Sequence, residues 1–300
     1  MKKIIYLDYA ATTPIDPHVK RTMAPYFSSK FLGNTMSLHR LGQKSKKVLE
    51  EKREIVSDFI GATPEEIVFT SSATESNNLA LKGVAFANRN KGMHIITSSI
   101  EHPCVLESVK WLGKQGFKIT ILPVDRCGLV DPGDVKKTIK KETILVSVMH
   151  ANNEIGTIEP IKEIGKICRE KNIYFHTDAA QSLGKIPINV KEMNIDLLTA
   201  SSHKMYGPKG VACLFVRRGV KIEPLLHGGG HERGLRSSTV NLPAVAGFAK
   251  TVEICKKKMK GEAKKLSSLR DKLIRGVISK IEDSHLNGHP KKRLPNNANF

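Results

Sequence analysis

The sequence predicts an α/β fold built on a largely parallel sheet, and three observations carry that expectation. Seven short β-rich runs recur through the middle of the chain, most of them separated by segments of helical period. The runs are almost continuously apolar, as strands are when helices cover both faces of their sheet. Polar residues gather directly after five of the runs, and open α/β sheets bind their ligands beyond the carboxyl ends of the strands.

In chain order, "EEIVFTS" (65–71) precedes the helical segment "ATESNNLALKGVAFANRN", and "HIITSSI" (94–100) precedes "VLESVKWLGKQG". "FKITILPV" (117–124) leads into "DVKKTIKK", and "ETILVSVMH" (142–150) into "IKEIGKICREKN". "IYFHTDAA" (173–180), "DLLTASS" (196–202) and "GVACLFVRR" (210–218) complete the set. From Pro243 the pattern predicts one long helix, with a kink near Gly261. The segment "LNGHPKKRLPNNANF" then reads as the turn-rich start of a further sheet.

Composition narrows the function. Three hundred residues, 40% hydrophobic and 26% charged, suit a globular chain of one large domain or two unequal ones. No apolar run has membrane-spanning length, so no membrane partner is expected. The opening "MKKIIYLDYAATTP" has too short an apolar patch for a secretory leader, which points to the cytoplasm. Five cysteines (Cys104, Cys127, Cys168, Cys213 and Cys255) lie far apart with no CxxC pair, against a disulfide framework or a zinc site. The net charge of +20 raises nucleic acid as a partner. Its densest patches, "KKKMKGEAKK" (256–265) and "KKR" (291–293), read as a wet helix face and a turn. No helix-turn-helix, zinc finger or aromatic-interleaved basic motif accompanies them. Nucleic acid is therefore not read as the main partner; attraction for anionic cofactors or acidic proteins accounts for the charge equally well.

The chemistry-bearing residues sit in the loops after the strands. In "VFTSSATESNN", Ser72 followed by Glu75 is a capping-box pattern that starts a helix near Thr74. Free N–H groups at such a start, with the helix dipole, attract an anion, although the loop lacks the glycines of a nucleotide-binding motif. Asp178 ends a buried strand, where a carboxylate needs a cation opposite it: Lys185, or a protonated ring nitrogen. Gln181 stands three residues on, able to donate to an oxygen in the same pocket. "LLTASSHKMYGPKG" (197–210) ends a strand at Ser201, His203 and Lys204. A partly desolvated lysine near other cations loses proton affinity, and its free amine condenses with an aldehyde. Ser201 and His203 are phosphate donors. His102 in "SSIEHPCV" offers a flat ring for stacking and proton transfer. Together these groups describe a site for pyridoxal phosphate.

The segments "LDYAATTP", "VFTSSATESNNLALKG", "HIITSSIEHPCV", "ILVSVMHANNEIGTIEPI", "HTDAAQSLGKIPI", "SSHKMYGPKGV" and "HGGGHERGLRSSTVN" resemble, in order and over the whole chain, the cysteine desulfurases of the NifS/IscS group. These are pyridoxal-phosphate enzymes of the class V aminotransferase type. The resemblance implies the fold type I transferase architecture. A large cofactor-binding domain would span 15–250, with 1–14 and 251–300 forming part of a small domain. It implies that Lys204 carries the cofactor and acts as the catalytic base, that Asp178 pairs with the ring nitrogen, and that His102 stacks on the ring and helps protonate. Gln181 would contact the ring hydroxyl. Ala73 through its backbone, Thr74, Ser201 and His203 would hold the phosphate, and Asn153 would face cofactor and substrate. Thr239 would reach a phosphate in a partner subunit, making a homodimer with shared active sites. The reaction implied takes sulfur from L-cysteine, leaving L-alanine and a protein persulfide. A sulfur acceptor or iron–sulfur scaffold protein would receive the sulfur.

One part of the family pattern is missing. The sulfur-accepting cysteine of that family lies in a loop of the type "SSGSACTS", downstream of Phe300, with an arginine that grips the substrate carboxylate. None of the five cysteines stands in such a context, and Cys104, just after Pro103, is a poor substitute. A strand beginning near Phe300 would also lack partners. The expectation from sequence is a C-terminally truncated desulfurase, without turnover over these 300 residues. The alternatives are a non-catalytic scaffold that binds cofactor or partners, or another class V enzyme such as a selenocysteine lyase or a small-amino-acid aminotransferase.

Overall fold

In the computed structural model of the protein, which describes residues 4–300, seven strands form one sheet. They are β1 (Ile67–Thr70), β2 (His94–Ser98), β3 (Lys118–Leu122), β4 (Thr143–Ser147), β5 (Tyr174–Asp178), β6 (Leu197–Ser201) and β7 (Ala212–Val216). Their order is β1-β7-β6-β5-β4-β2-β3. All seven fall inside the runs picked out from sequence. β7 alone runs antiparallel to its neighbours, β1 and β6; the remaining pairings are parallel. Only a short loop separates β6 from β7, too little chain for a helical crossover, so β7 has to come straight back.

Adjacent residues along each strand face opposite layers. Ile67, Phe69, Ile96, Val146, Leu198 and Phe215 belong to one buried cluster. Their chain neighbours Val68, Ile95, Leu145, Leu197 and Leu214 belong to another. This period-2 division of wholly apolar strands is the mark of a sheet sandwiched between two helical layers. One layer holds α2 (Arg40–Phe59), α6 (Pro132–Thr138), α7 (Ile161–Glu170) and the start of α8 (Leu242–Lys280). The other holds α5 (Pro103–Lys114) and a continuous helical run. That run consists of α3 (Ala73–Asn78), a π-helical turn (Leu79–Gly83) and α4 (Val84–Ala87). α1 (Pro17–Met23) packs on α8.

Several helix starts follow from local chemistry. Asp16, His39, His102, Asp131 and Asn241 cap α1, α2, α5, α6 and α8, each accepting a backbone N–H in the first turn. Proline at the first helical position supports α1, α5 and α6. α2 was not singled out from sequence: its apolar stripe at Leu41, Val48, Leu49, Ile55, Val56 and Phe59 is diluted by charged residues. The kink expected at Gly261 is absent, and α8 runs unbroken through it for 39 residues. Gly261 has no neighbour within 4 Å of an added Cβ, so nothing presses on the helix there to bend it. The same helix crosses the expected domain boundary at 250/251 without interruption. Within the expected small-domain segments, residues 1–3 lie outside the described residues. Residues 285–300 form turns with isolated bridges, Thr157 to Arg293 and Asn287 to Asn299, rather than a new sheet.

Candidate active site

Because β1, β2, β4, β5 and β6 point the same way, the segments that follow them emerge along one edge of the sheet. Hydrogen bonds join them there. The Asn77 amide in α3 donates to Asp178 Oδ2 at 2.6 Å and to Cys104 Sγ at 3.1 Å, tying the β1 segment to those after β5 and β2. Asn152 Nδ2 donates to the Ile100 carbonyl at 2.8 Å, and the Met149 N–H to Glu101 Oε1 at 2.8 Å, tying β4 to β2. The N-terminal segment threads between them. Ala10 O accepts from both Lys204 Nζ (2.9 Å) and Gln181 Nε2 (2.8 Å), and Thr12 Oγ1 bonds His203 Nδ1 at 3.0 Å.

Lys204 follows β6 in a single 3-10 turn, Ser202–Lys204. Burial lowers the proton affinity of its amine, and the facing carboxylates of Asp178, Glu154 and Asp8 partly restore it. The Asp178 charge is the largest of those acting on the amine. Asp178 is 5% exposed; its Oδ1 accepts from the Ala180 N–H at 2.8 Å, and among the described residues it has no ion-pair partner. Lys185, weighed from sequence as that partner, instead donates to Gln181 Oε1 at 3.1 Å. With the Asn77 amide and the Ala180 N–H both held on it, the carboxyl tolerates burial without a lysine.

His102 caps α5: its Nδ1 accepts the Cys104 N–H at 3.2 Å, which leaves the ring proton on Nε2. Ser72 caps α3 through Glu75 N as expected, but the Glu75 carboxylate reaches back to Ser71 N rather than to Ser72. Arg236 Nε donates to the other oxygen of that carboxylate, Glu75 Oε1, at 2.7 Å. Ala73 and Thr74 are the first two residues of α3. Beside them lies a hollow of about 310 Å³, lined by Thr12, Ser71, Ser72, Ser201, His203 and Lys209 among others. His203 has its proton affinity lowered by burial and by the charges of Lys204, Lys209 and Lys185. Thr239 borders a separate hollow of about 160 Å³ that shares Ser71, Gly210 and Val211 with the first. Asn153 is in the loop after β4, and its amide donates to Glu154.

Asn77, Ala10 and Thr12 were missed from sequence. A carbonyl oxygen has no side-chain signature, and Asn77 looks like any polar residue on a first helical turn. Two further buried acids were missed as well. Burial pushes Glu101, beside His102, up to about 8, and does the same to Glu159.

Pyridoxal phosphate can be tested against this set of groups. An aldehyde needs an amine that gives up its proton, a pyridine nitrogen needs a buried acid, and a phosphate needs hydroxyl and N–H donors around a small hollow. Lys204, Asp178 and the hollow at Ser72, Ser201 and His203 meet these needs, so the residues present fit the cofactor. The fold and the site define an α/β protein of the pyridoxal-phosphate-dependent kind.

The comparisons with known proteins agree. The Aminotransferase class-V family matches residues 5–300, and the chain belongs to that family. A curated cysteine desulfurase IscS from Dictyoglomus turgidum is 54% identical over 300 residues, which is 100% of this chain and 76% of the relative. One from Methanosarcina thermophila is 51% identical over 297 residues, 99% of this chain and 73% of the relative. A solved NifS-like protein superposes with a TM-score of 0.94 at 41% identity, covering 98% of this chain and 80% of its own. SspA, solved in complex with cysteine, gives 0.81 at 45% identity, covering 83% and 72%.

Proposed function

We propose that the protein is a cysteine desulfurase, taking sulfur from L-cysteine to leave L-alanine and a persulfide for a sulfur acceptor. The observation that carries this reading is the Lys204 amine, its proton affinity lowered by burial, held with Gln181 on the Ala10 carbonyl and acted on by the charge of the buried Asp178. The relatives' shared identity as desulfurases selects the substrate.

Lys204 would hold the cofactor aldehyde, Asp178 the ring nitrogen, and Gln181 the ring hydroxyl. Thr74, the Ala73 N–H, Ser201 and His203 would surround the phosphate. Bound pyridoxal phosphate supplies an electron sink that weakens bonds at the substrate α-carbon. The chain's own groups do the rest. Lys204 Nζ, once free, removes and returns a proton at its lone pair. The Ala10 carbonyl fixes where that nitrogen points when it is protonated. Asn77 keeps the Asp178 carboxyl aimed into the site, and His102 presents an Nε2–H fixed by its cap bond. Asn153 would face the substrate.

A sulfur acceptor on the enzyme has to be a thiolate. Burial raises Cys104 to about 11 and both Cys213 and Cys255 to about 12, and it raises Cys168 further still. These four thiols stay protonated at neutral pH, which supports the ranking of Cys104 as a poor nucleophile.

The same reading makes the protein cytoplasmic and a homodimer in which Thr239 serves the partner's phosphate site. Supporting it, Phe27, Leu32, Met36 and Leu38 are exposed apolar side chains along one stretch of this chain. Among the described residues no helix is long and apolar enough to cross a membrane.

The test is spectroscopic. Purified protein mixed with pyridoxal phosphate is expected to absorb at about 400 nm, and Lys204→Ala to abolish the band. L-cysteine is expected to perturb the band, and D-alanine to leave it unchanged. A chain that gives no band refutes the reading.

A further inference from the structure

Lys185 has no part in the roles above, yet it ends beside the reactive amine. It lies four residues past Gln181, and its Nζ donates to Gln181 Oε1 at 3.1 Å. The other end of that carboxamide donates to Ala10 O at 2.8 Å, and Lys204 Nζ donates to the same oxygen at 2.9 Å. Lys185 and Lys204 both line a cavity of about 600 Å³. Among the described residues no carboxylate stands within ion-pair distance of Lys185. A carboxamide has two orientations that exchange donor and acceptor. With a lysine donor at one end, only one of them satisfies both ends. The reversed amide would press its oxygen against Ala10 O and its NH2 group against the Lys185 amine.

We propose that Lys185 is a positioning residue for the reactive amine, orienting the Gln181 carboxamide so that this side chain and Lys204 meet on the Ala10 carbonyl. The proposal rests on the reading of Lys204 as the reactive amine. It gives a use to a lysine whose own pKa burial and the Lys204 charge bring down to about 7, since the neutral amine still donates to Gln181. Lys204 is faced by Asp178 from β5, Glu154 from the loop after β4, Asp8 from the N-terminal segment and Cys104 from α5. Of the neighbouring lysines, Lys185 is the one whose proton affinity the Lys204 charge lowers, and Lys209 lies near His203. Replacing Lys185 leaves every other one of these groups in place. It leaves the carboxamide held at one end only and free to leave Ala10 O, which then accepts from the Lys204 ammonium alone, and that raises the proton affinity of Lys204.

The experiment uses the full chain without cofactor: trace acetylation by acetic anhydride, read peptide by peptide and normalised to an exposed lysine such as Lys110. At pH 7.5, K185M is expected to slow acetylation of Lys204 by about 3- to 10-fold, its pH midpoint moving up by about half a unit to one unit. K185R is expected to stay within about twofold of the unaltered chain, since it keeps both donor and charge. A purely packing role predicts the opposite sign, because emptying the cavity wall exposes Lys204 and speeds its acetylation. Unchanged or faster acetylation in K185M, or the same loss in K185R, overturns the proposal. Should K185M not fold, K185Q decides by the same sign, with slowing of up to about threefold expected. Absence of the cofactor band in the unaltered chain defeats the cofactor reading alone, because the labelling contains no cofactor.

Discussion

Glu232→Gln isolates a buried ion pair that anchors the loop bearing Arg236 and Thr239. Arg53 is 2% exposed, and its guanidinium donates to both Glu232 oxygens at 2.6 and 2.8 Å and to the Ile67 carbonyl at 3.0 Å. Glu232 Oε2 also accepts the Phe69 N–H of β1 at 2.7 Å. Burial works against the Arg53 cation, and Glu232 and then Glu50 outweigh it, raising its pKa above the ordinary value. Glu232 and Arg233 hold φ of 50° and 57°, left-handed backbone that suits glycine and costs other residues on the order of 1 kcal/mol each. The strain persists because the ion pair fixes it. Glutamine keeps the shape and removes the charge, leaving Arg53 buried with only Glu50, which is half exposed. Losing one partner of a buried pair costs about 3–5 kcal/mol. At about 2.1 cal/mol/K per residue, a chain of 300 residues has an unfolding entropy of about 0.6 kcal/mol/K. Tm is then expected to fall by about 5–8 °C in a circular-dichroism melt at 222 nm. Arg53→Met combined with Glu232→Met removes both charges and is expected to regain at least half of the loss. A single variant within about 1 °C of the parent, or a double variant worse than both singles, refutes the reasoning.

Three further outcomes are expected. Asp178→Asn leaves the Asn77 amide facing an amide in place of a carboxylate; cofactor affinity should drop at least about tenfold in a spectral titration, with no more than a small change in Tm. Glu101 is buried with its carboxyl raised to about 8, so between about 4.5 and 8 the unfolded chain loses this proton and the folded chain keeps it. Stability therefore falls as pH rises through that window, on the order of 1 kcal/mol per unit from this group. His150, lowered to about 4, acts in the opposite direction below about 6.5. Lys185, lowered to about 7, opposes the acids above that pH; urea midpoints should therefore slope downward most clearly between pH 6 and 7, and Glu101→Gln should flatten the slope there. Finally, Gly165 packs α7 so closely that an added Cβ would stand 2.0 Å from the Met193 carbonyl. Gly165→Ala is expected to cost about 1–3 kcal/mol by urea denaturation despite alanine's better helix propensity.

The strands were legible because a parallel sheet needs continuous apolar runs bounded by turn and helix signals, and seven of them recur through the middle of the chain. α2 was not, since Arg53 and its charged neighbours interrupt the apolar stripe while serving a buried ion pair that only the distant Glu232 explains. The sidedness of the sheet was legible too: residues that follow parallel strands must emerge together, and Asp178 and Lys204 both stand at the ends of such strands. What sequence could not supply were contacts made by backbone atoms and by chain far away in number. Ala10 O receives two of the site's side chains through its carbonyl alone. Lys185 was weighed as a counter-charge for Asp178 because charge is visible in sequence; the orientation of a carboxamide is not.

The unbroken length of α8 has a mechanical consequence. Its first turns, Leu242 to Val252, are embedded beneath the sheet, and the remainder projects as a rod. Near the far end Arg270 grips the carbonyls of Arg293 and Leu294, and Arg293 in turn grips that of Ile155, next to Asn153 in the loop after β4. Tilting the rod therefore tugs on the loop that would greet the substrate. Helix and guanidinium thus join the periphery to the loop after β4 by side-chain contacts on backbone carbonyls.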